Sequence, residues 1–554
     1  MNSALQSSTR LIKMASMMLC LGMVFLLSKN TETKEVILTK VAKTNAASCG
    51  HAHTALINAQ QRMLKSIDAG LADRFSNHKK REVISLCWQE GTPLSVIEQN
   101  RRDARGSIPT SLSNIDGSAS LDGTRFEDSG QRWFYNANKA DGSLYESGDC
   151  VIMTWSIVPD GTSIFGFNGE PTSPSNFIQH MDDLFGCTGG SDLTSRCWFS
   201  VVESIYTDWG AKTGLTFQYE PNDDGAPFAS TSPFLPDGVL GVRGDMRVSG
   251  HAIDGAGGIL AYNFLPGPYD GGPVSGGGPF AGFIQGGDMV VDCPDLFYSV
   301  GSDFNPSFSE PSDNNWRRLR NVLTHEVGHG LGLSHSCPLD GGSKLMEPFA
   351  SLNPAFDGPQ EDDFLGINQI FGDNNCGSDA VNLGTKVGEV EVTQECVSIH
   401  DSTDEDIYEF EMVGLSCAIH IEVEPTGSTY LAGPQDGSDP LDPAGCSPGV
   451  PFDASAQGDL IVELIGPDGN VITTSNAGGL GITETIDQTV TEKGRYQIKV
   501  TNAGTDDVQM YKITCSSTEC DPIPTMSEWG LMIFALLILN LSVVFLRRRE
   551  AILA

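Results

Sequence analysis

The chain has 554 residues, several times the length of a typical domain, and a formal net charge of −37 from 34 Lys+Arg and 71 Asp+Glu. So large a negative charge repels phosphate backbones, which excludes nucleic acid as a partner. With 39% hydrophobic residues and 62 Gly, the composition indicates a loop-rich globular protein, and the 14 Cys favour disulfides in an oxidising compartment.

The first 46 residues have the order of charged and apolar residues of an export signal. Arg10 and Lys13 precede the apolar run 14–27, which is too short to cross a membrane comfortably. A plausible cleavage site follows only at Ala46, so an uncleaved anchor is the alternative. We predict a signal peptide over residues 1–46.

Residues 47–125 are expected to form a helical, pro-like segment and linker. Apolar residues between His53 and Phe75 recur at helical spacing. Basic clusters at 78–81 and 101–105 follow, in a polar stretch where a protease can cut. A plain N-terminal linker with one helix is an equally open interpretation, because basic clusters are usually solvated surface.

Residues 126–373 have the pattern of an α+β domain with a twisted mixed sheet. Apolar runs with β-branched residues predict strands, and apolar residues at helical spacing predict helices. The predicted strands are 151–158, 215–219 and 288–292, and the predicted helices are 200–214, 316–331 and 361–370.

Residues 380–516 are expected to form an all-β sandwich, because short β-branched runs alternate there with turn signals such as 467–470. The predicted strands are 387–392, 407–411, 419–423, 459–464, 496–500 and 510–514. The alternation around Tyr408 and Tyr496 resembles that of bacterial pre-peptidase C-terminal domains, which follow secreted proteases. Any small sandwich alternates in this way, so an unrelated sandwich is the alternative.

Residues 521–554 have the composition of a membrane-anchoring tail. The apolar run 530–546 is bordered by Trp529 and by the arginines 547–549, the pattern of a transmembrane helix with a cytoplasmic positive end. The preceding residues 523–526, IPTM, resemble the IPTL-type sorting tails of Gram-negative envelope proteins. That resemblance implies export to the cell envelope, anchoring by the C-terminal helix before processing, a sorting protease as partner, and release if the tail is cut.

One short stretch of the sequence contains the candidate metal-binding and catalytic residues. His325 and His329 are four residues apart and project from the same face of a helix, where they can share one cation. Gly332 can end the helix in a left-handed turn, which lets His335 reach the same metal. Three neutral imidazoles leave a position for water, as in catalytic zinc sites, and Glu326 can accept the proton of that water. We therefore predict one catalytic zinc and a general base.

With its third histidine and its glycine, this motif is the metzincin signature, and its details resemble the matrixin branch. Ser336 follows the third histidine, and residues 345–348 look like the Met-turn, which would place Met346 beneath the metal. The resemblance covers most of residues 130–372. It implies a metzincin-like catalytic domain with an active-site helix, and a zinc-dependent endopeptidase that acts on proteins or peptides.

Two positions depart from matrixins that carry a second, structural zinc. Tyr262 and Val290 stand where two of the histidines of that site would lie, so we expect one zinc. Asp254 and Asp292 match calcium-site positions of the family, which implies one structural Ca²⁺. A Gly-rich turn capped by Asp is the alternative.

The cysteines are expected to pair. Matrixin latency uses a pro-segment Cys as a zinc ligand, and Cys87 is the nearest candidate, but the family's surrounding residues are missing, so a disulfide is expected there instead. The expected disulfides are Cys49–Cys87, Cys187–Cys197 and Cys293–Cys337.

Three functions compete. The leading hypothesis is a secreted or cell-envelope zinc endopeptidase with Glu326 as general base. The alternative is a surface adhesin or binding protein with a structural or inactive zinc site, against which Glu326 argues because a structural site needs no base. A zinc hydrolase that acts on a non-protein substrate would use the same residues.

Overall fold

The computed structural model describes residues 84–99, 132–187, 189–228, 238–268, 283–298, 316–336, 344–372, 380–432, 450–517 and 530–543, with short gaps inside several of these ranges. The predicted signal peptide, the predicted helix between His53 and Phe75 and the IPTM residues lie outside the described residues. Residues 532–543 of the predicted transmembrane run are helical. Among the helices described, none combines the length and the apolar character that crossing a membrane requires.

A seven-stranded mixed sheet forms the first layer. Its strands in chain order are β1 (Ile84–Gln89), β2 (Val151–Ile157), β3 (Leu215–Tyr219), β4 (Met246–His251), β5 (Ile259–Phe264), β6 (Met289–Asp292) and β7 (Phe349–Ala350). Their order in the sheet is β7-β1-β5-β6-β4-β2-β3. Two further short hairpins pair 163–164 with 173–174 and 267–268 with 283–284.

The direction of the strands changes across this sheet. β2 is parallel to β3 and β4, and β6 is parallel to β4. β5 is antiparallel to β6 and to β1, and β1 is parallel to β7. β4 and β5 are buried along their whole length, as expected for strands covered on both faces. The predicted α+β class with a mixed sheet is confirmed.

Helices pack against this sheet. They are α1 (Phe177–Phe185), α2 (Phe199–Gly210), α3 (Arg317–Leu331) and α4 (Glu361–Phe371), with 3-10 turns at Leu193–Ser195 and Leu296–Tyr298. Trp155 of β2 stacks on Tyr206 of α2 with ring centroids 4.4 Å apart, which fastens this helix to the sheet. α3 contacts β5 and α2, and all of its residues except Arg320 are buried. Its polar side chains therefore face the interior of the domain.

Strands between residues 381 and 517 form a β-sandwich, as predicted. A five-stranded sheet has the order β8-β10-β17-β14-β15, and a four-stranded sheet has the order β9-β18-β11-β16. The strands are β8 (Val381–Lys386), β9 (Val390–Ile399), β10 (Asp406–Met412), β11 (Cys417–Pro425), β12 (Thr429–Ala432), β13 (Val450–Asp453), β14 (Leu460–Ile465), β15 (Val471–Ser475), β16 (Glu484–Val490), β17 (Gly494–Asn502) and β18 (Gln509–Ser517). β12 pairs with β13 in a separate hairpin.

Alternate residues of the sandwich strands are buried, and they form one core. In β10 every second residue, beginning with Asp406, is buried, the pattern of a strand with one face inward. The core includes Tyr408, Phe410, Ile421, Val462 and Ile498.

The sandwich packs directly on α4. Leu365 of α4 is buried in a cluster with Phe452 and Met510 of the sandwich. The backbone N–H of Ser428 donates to the Glu361 carboxylate at 3.0 Å. The sandwich is therefore joined to α4 of the mixed-sheet domain by an apolar contact and by hydrogen bonds.

The cysteines pair differently from the prediction. The Cys187–Cys197 disulfide is confirmed. The predicted partners Cys49 and Cys337 lie outside the described residues, while Cys87 and Cys293 are free thiols and both are buried. The two predicted bridges to them are thus wrong. Both thiols are instead packed into the domain, Cys87 inside the sheet on β1 and Cys293 at 4% exposure after β6.

Candidate metal centre

Three imidazoles converge on one point. Nε2 of His329 lies 2.9 Å from Nε2 of His325 and 3.2 Å from Nε2 of His335. All three side chains are buried. Ligands arranged tetrahedrally at about 2.1 Å from a zinc ion lie about 3.4 Å apart, so this spacing fits three ligands of a single zinc.

Backbone carbonyls orient two of these rings. Nδ1 of His325 lies 2.6 Å from the carbonyl oxygen of Leu345, and Nδ1 of His329 lies 2.7 Å from that of Leu333. A carbonyl only accepts, so each Nδ1 carries the proton and each Nε2 is left with its lone pair for a metal. Every residue has a main-chain carbonyl oxygen, so the sequence does not indicate which of them orients a histidine. Sequence analysis therefore missed these two partners.

Burial keeps the imidazoles neutral. It lowers the pKa of His325 to about 4. The pKa of His329 is held well below its usual range, by burial first and then by the nearby His325. Neutral imidazole is the form that binds a metal, so the site is prepared for a cation at neutral pH.

His335 reaches this point because α3 ends sharply. Gly332 has a φ of 114°, and its N–H and that of Leu333 bond back to the carbonyls of His329 and Gly328 at 2.9 and 3.0 Å. This left-handed conformation is one that a side chain opposes, so glycine is needed here. The predicted role of Gly332 as the helix terminator is confirmed.

Glu326 is fully buried beside the first ligand. Neither of its carboxylate oxygens has a hydrogen-bond partner among the described residues, and burial raises its pKa well above the usual range. Its backbone carbonyl accepts from Nδ2 of Asn263 at 2.6 Å. A buried carboxylate without partners is costly to the fold.

Met346 lies beneath the helix that carries the ligands. A Cβ added to Gly328 would lie 2.7 Å from Sδ of Met346, so the thioether occupies the space that this glycine leaves. The N–H of Ser336 donates to the Met346 carbonyl at 2.8 Å. The predicted Met-turn residue therefore touches both the helix and the segment of the third histidine.

The comparisons with known proteins agree with this geometry. Residues 191–372 match the family Peptidase_M10, matrixin. These residues form a matrixin-like domain.

Curated relatives match over the same region. They include matrix metalloproteinase-2 of Drosophila melanogaster (31% identical, 22% of this chain and 13% of the relative), matrix metalloproteinase-25 of Mus musculus (29%, 33% and 24%) and the interstitial collagenase of Equus caballus (32%, 28% and 26%). The chain therefore spans well under half of the length of these relatives.

Among solved structures, the pre-peptidase C-terminal domain of a collagenase from Bacillus anthracis aligns with 25% of this chain and 96% of its own at 13% identity, with a TM-score of 0.16. A TM-score this low does not relate the two folds. The resemblance of the sandwich to pre-peptidase C-terminal domains rests on its sequence pattern.

A strand outside the matched residues reaches the centre of the matrixin-like domain. The Cys87 thiol on β1 lies within 4.8 Å of a nitrogen of His325 and an oxygen of Glu326. Oγ of Ser85 lies 3.5 Å from Nδ1 of His335. Burial, and next the charge of Glu326, raise the pKa of the Cys87 thiol well above its usual range. Sequence analysis placed Cys87 in a disulfide and its segment in a helical linker, so it missed this contact.

The two aspartates predicted to bind calcium hold a turn of the matrixin-like domain. The Asp292 carboxylate accepts from the backbone N–H of Ile253 at 2.9 Å and of Gly255 at 2.8 Å. The Asp254 carboxylate accepts from the N–H of Ile259 at 3.1 Å. Burial raises the pKa of Asp292 to about 6. Calcium here stays a prediction.

A polar cluster surrounds the position where a histidine of a second zinc site would lie. The Tyr262 hydroxyl donates to Oε1 of Glu170 at 3.0 Å. Nε2 of His251 lies 3.4 Å from the same oxygen. Val290, which like Tyr262 stands where a histidine of that site would lie, is in an apolar cluster with Tyr262. Glu170 and His251 were not singled out from the sequence, because their partners are distant along the chain.

Proposed function

We propose that this protein is a zinc-dependent metalloendopeptidase in which His325, His329 and His335 hold one zinc and Glu326 is the general base. One observation carries the proposal: two Nε2 atoms lie 2.9 and 3.2 Å from that of His329, next to a buried carboxylate that has no hydrogen-bond partner among the described residues. A structural site closes its fourth position with a protein ligand and needs no base.

Each group of the site has its own role in the proposed reaction. Zinc, when bound, supplies Lewis-acid activation of a water and of the scissile carbonyl. Glu326 accepts the proton of the water on a carboxylate oxygen and then donates it to the leaving amine. Burial raises the pKa of Glu326 well above its usual range, which makes its carboxylate a stronger base. The carbonyls of Leu345 and Leu333 hold the imidazoles in the binding tautomer.

The substrate is a protein or peptide in this proposal. The names of the curated relatives support a proteinase, and the matrixin match covers the metal centre. An adhesin with an inactive zinc site is the alternative function, and it does not explain why the Glu326 carboxylate has no partner in the part of the chain that the structure describes. A structural Ca²⁺ at Asp254 and Asp292 is a further part of the proposal.

We place the protein at the cell surface. The signal-like residues 1–46 and the sorting-like residues 521–554 support export to a Gram-negative envelope, with anchoring by the C-terminal run or release after a sorting protease cuts the tail. Fractionation of cells that express the full chain, with and without residues 521–554, tests this placement. Loss of membrane association without the tail is expected, and equal association of both chains would contradict it.

The activity is tested by digestion of a denatured protein with the full, zinc-loaded chain. The chain is used intact and after limited trypsin treatment that is stopped with a trypsin inhibitor, because the basic clusters at 78–81 and 101–105 lie on either side of β1 in the sequence. Glu326→Gln and a chelated sample are expected to be inactive, whereas the surface variant Glu405→Gln is expected to match the parent. A parent that binds one zinc and cuts nothing in either form would favour the adhesin or a non-protein substrate.

A further inference from the structure

The sandwich contacts the turn that orients the His325 imidazole. Nζ of Lys344 lies 4.3 Å from the ring centroid of Tyr430, a residue of β12. An ammonium group at this distance from the centroid of an aromatic ring is attracted to its π face. Lys344 directly precedes Leu345, whose carbonyl oxygen lies 2.6 Å from Nδ1 of His325. A contact of the sandwich and a carbonyl that orients His325 therefore lie on consecutive residues.

Lys344 is the first residue of the turn that contains Met346. Its carbonyl oxygen accepts from the N–H of Glu347 at 3.4 Å, which closes the turn around Leu345 and Met346. The Lys344 ammonium also pairs with Oδ2 of Asp362 at 3.2 Å. The Lys344 side chain is 18% exposed, so solvent screens its contacts less than it would on an open surface. Lys344 is thus held by α4 as well as by the sandwich.

The N-terminus of α4 holds the same turn and also contacts the sandwich. The N–H of Leu345 donates to Oε1 of Gln360 at 2.8 Å. Glu361, the next residue, accepts from the N–H of Ser428 at 3.0 Å. Ser428 lies two positions before Tyr430. This short segment of the sandwich therefore contacts both supports of the Leu345 peptide group, the preceding lysine and the start of α4.

We propose that Tyr430 is a positioning residue for the metal centre. Its ring holds the Lys344 ammonium, and Lys344 fixes the start of the turn. The Leu345 carbonyl then holds the His325 imidazole with its Nε2 towards the metal. The sandwich thereby contributes to metal binding through the ligands of another domain. This inference rests on the proposed function, in which the three imidazoles hold one zinc.

The zinc affinity of the full chain tests this proposal without catalysis. Tyr430→Leu removes the π face and keeps an apolar side chain, whereas Tyr430→Phe keeps the ring. Tyr430→Leu is expected to weaken zinc binding about fivefold in competition with a chelator, because the ligand that it helps to orient becomes less well held. Tyr430→Phe is expected to bind zinc as tightly as the parent. Equal affinity of Tyr430→Leu and the parent would overturn the proposal.

A double-mutant cycle tests whether the effect passes through Lys344. Lys344→Met removes the ammonium group, keeps a long side chain and is expected to weaken zinc binding at least as much as Tyr430→Leu. If Tyr430 acts through Lys344, adding Tyr430→Leu to Lys344→Met should cause no further loss. Fully additive losses in the double variant would overturn the proposal, since the ring would then act by another route.

A control separates positioning from a general loosening of the sandwich. Phe410 is buried in the core of the sandwich, where its ring stacks on that of Tyr496. Phe410→Leu is expected to lower the free energy of unfolding and to leave the zinc affinity unchanged. If it weakens zinc binding as Tyr430→Leu does, the role of Tyr430 is structural and the proposal fails. The proposal fails in the same way if neither Tyr430→Leu nor Lys344→Met folds.

Digestion of a denatured protein by the same chains separates this proposal from the peptidase function. If the Tyr430 and Lys344 variants bind zinc more weakly but no chain cuts protein, the peptidase function fails while the positioning role stands. If the parent cuts protein and Tyr430→Leu binds zinc as tightly as the parent, the positioning role fails while the peptidase function stands.

Discussion

Nδ1 of His325 lies 2.6 Å from the carbonyl oxygen of Leu345, the residue that precedes Met346. The first proposed metal ligand is thus oriented by the same turn whose methionine packs under Gly328. Residues twenty positions apart along the chain set the direction of one lone pair. This coupling makes the packing around α3 a condition for the metal centre.

Two glycines of α3 offer a matched test of that packing. A Cβ at Gly330 would lie 2.8 Å from the Gly287 backbone, whereas one at Gly328 meets the flexible end of Met346 at 2.7 Å. We expect Gly330→Ala to lower the free energy of unfolding by about 2 kcal/mol and Gly328→Ala to lower it less, because a thioether can turn aside. Urea unfolding in the same excess of zinc measures both. A larger loss for Gly328→Ala would contradict this reading of the contacts.

Zinc is expected to stabilise the fold through His329, whose Nε2 lies closest to the other two. A metal at about 100 times its dissociation constant stabilises a protein by about 2.7 kcal/mol. The thermal midpoint of the parent should rise with zinc, and His329→Ala should lose most of that rise. His420→Ala is the control, because His420 is exposed on the sandwich and pairs with Asp487. A full zinc response in His329→Ala would remove this residue from the ligand set.

Asp292 is expected to make stability depend on pH. Burial raises its pKa from 3.8 to about 6, so the folded state binds its proton more tightly than the unfolded state. The resulting stability is fully present below about pH 4 and is lost as the pH rises through about 6. The free energy of unfolding of the parent, minus that of Asp292→Asn, should therefore fall between those values.

Urea unfolding between about pH 4 and 6 measures this difference in the free energy of unfolding. Because the parent and Asp292→Asn share all other titrating groups, the contributions of those groups cancel. A difference that stays level or rises with pH would contradict the prediction. If Ca²⁺ binds at the Asp292 carboxylate, calcium added near neutral pH is expected to restore the stability of the parent and to leave the stability of Asp292→Asn unchanged.

The contact between α4 and the sandwich is expected to make the two regions unfold together. Leu365 is 2% exposed in the cluster with Phe452 and Met510. Leu365→Asp places a charge there and should cost about 3 kcal/mol or more. Calorimetry is expected to show one transition for the parent and two for this variant. Leu480→Asp, at a position 53% exposed, is the control and should keep one transition.

Sequence patterns located the elements with strong periodicity. The predicted helices 316–331 and 361–370 differ from α3 and α4 by one residue at an end, and the predicted strand 215–219 is β3. β15 was missed because its residues from Val471 to Ser475 are largely exposed and show no apolar face. The strand predicted at 387–392 overlaps β9 only at residues 390–392, and residues 387–389 lie outside the described residues.

The sequence by itself determined the chemistry of the site, because His325, Glu326, His329, Gly332 and His335 lie within one helix and its terminating turn, where spacing dictates geometry. Tertiary structure alone decided what surrounds that chemistry. The carbonyl of Leu345 on one ligand, the free thiol of Cys87 beside Glu326 and the sandwich on Leu365 depend on contacts between distant segments. No local pattern encodes such contacts, because they follow from strand pairing and packing over the whole fold.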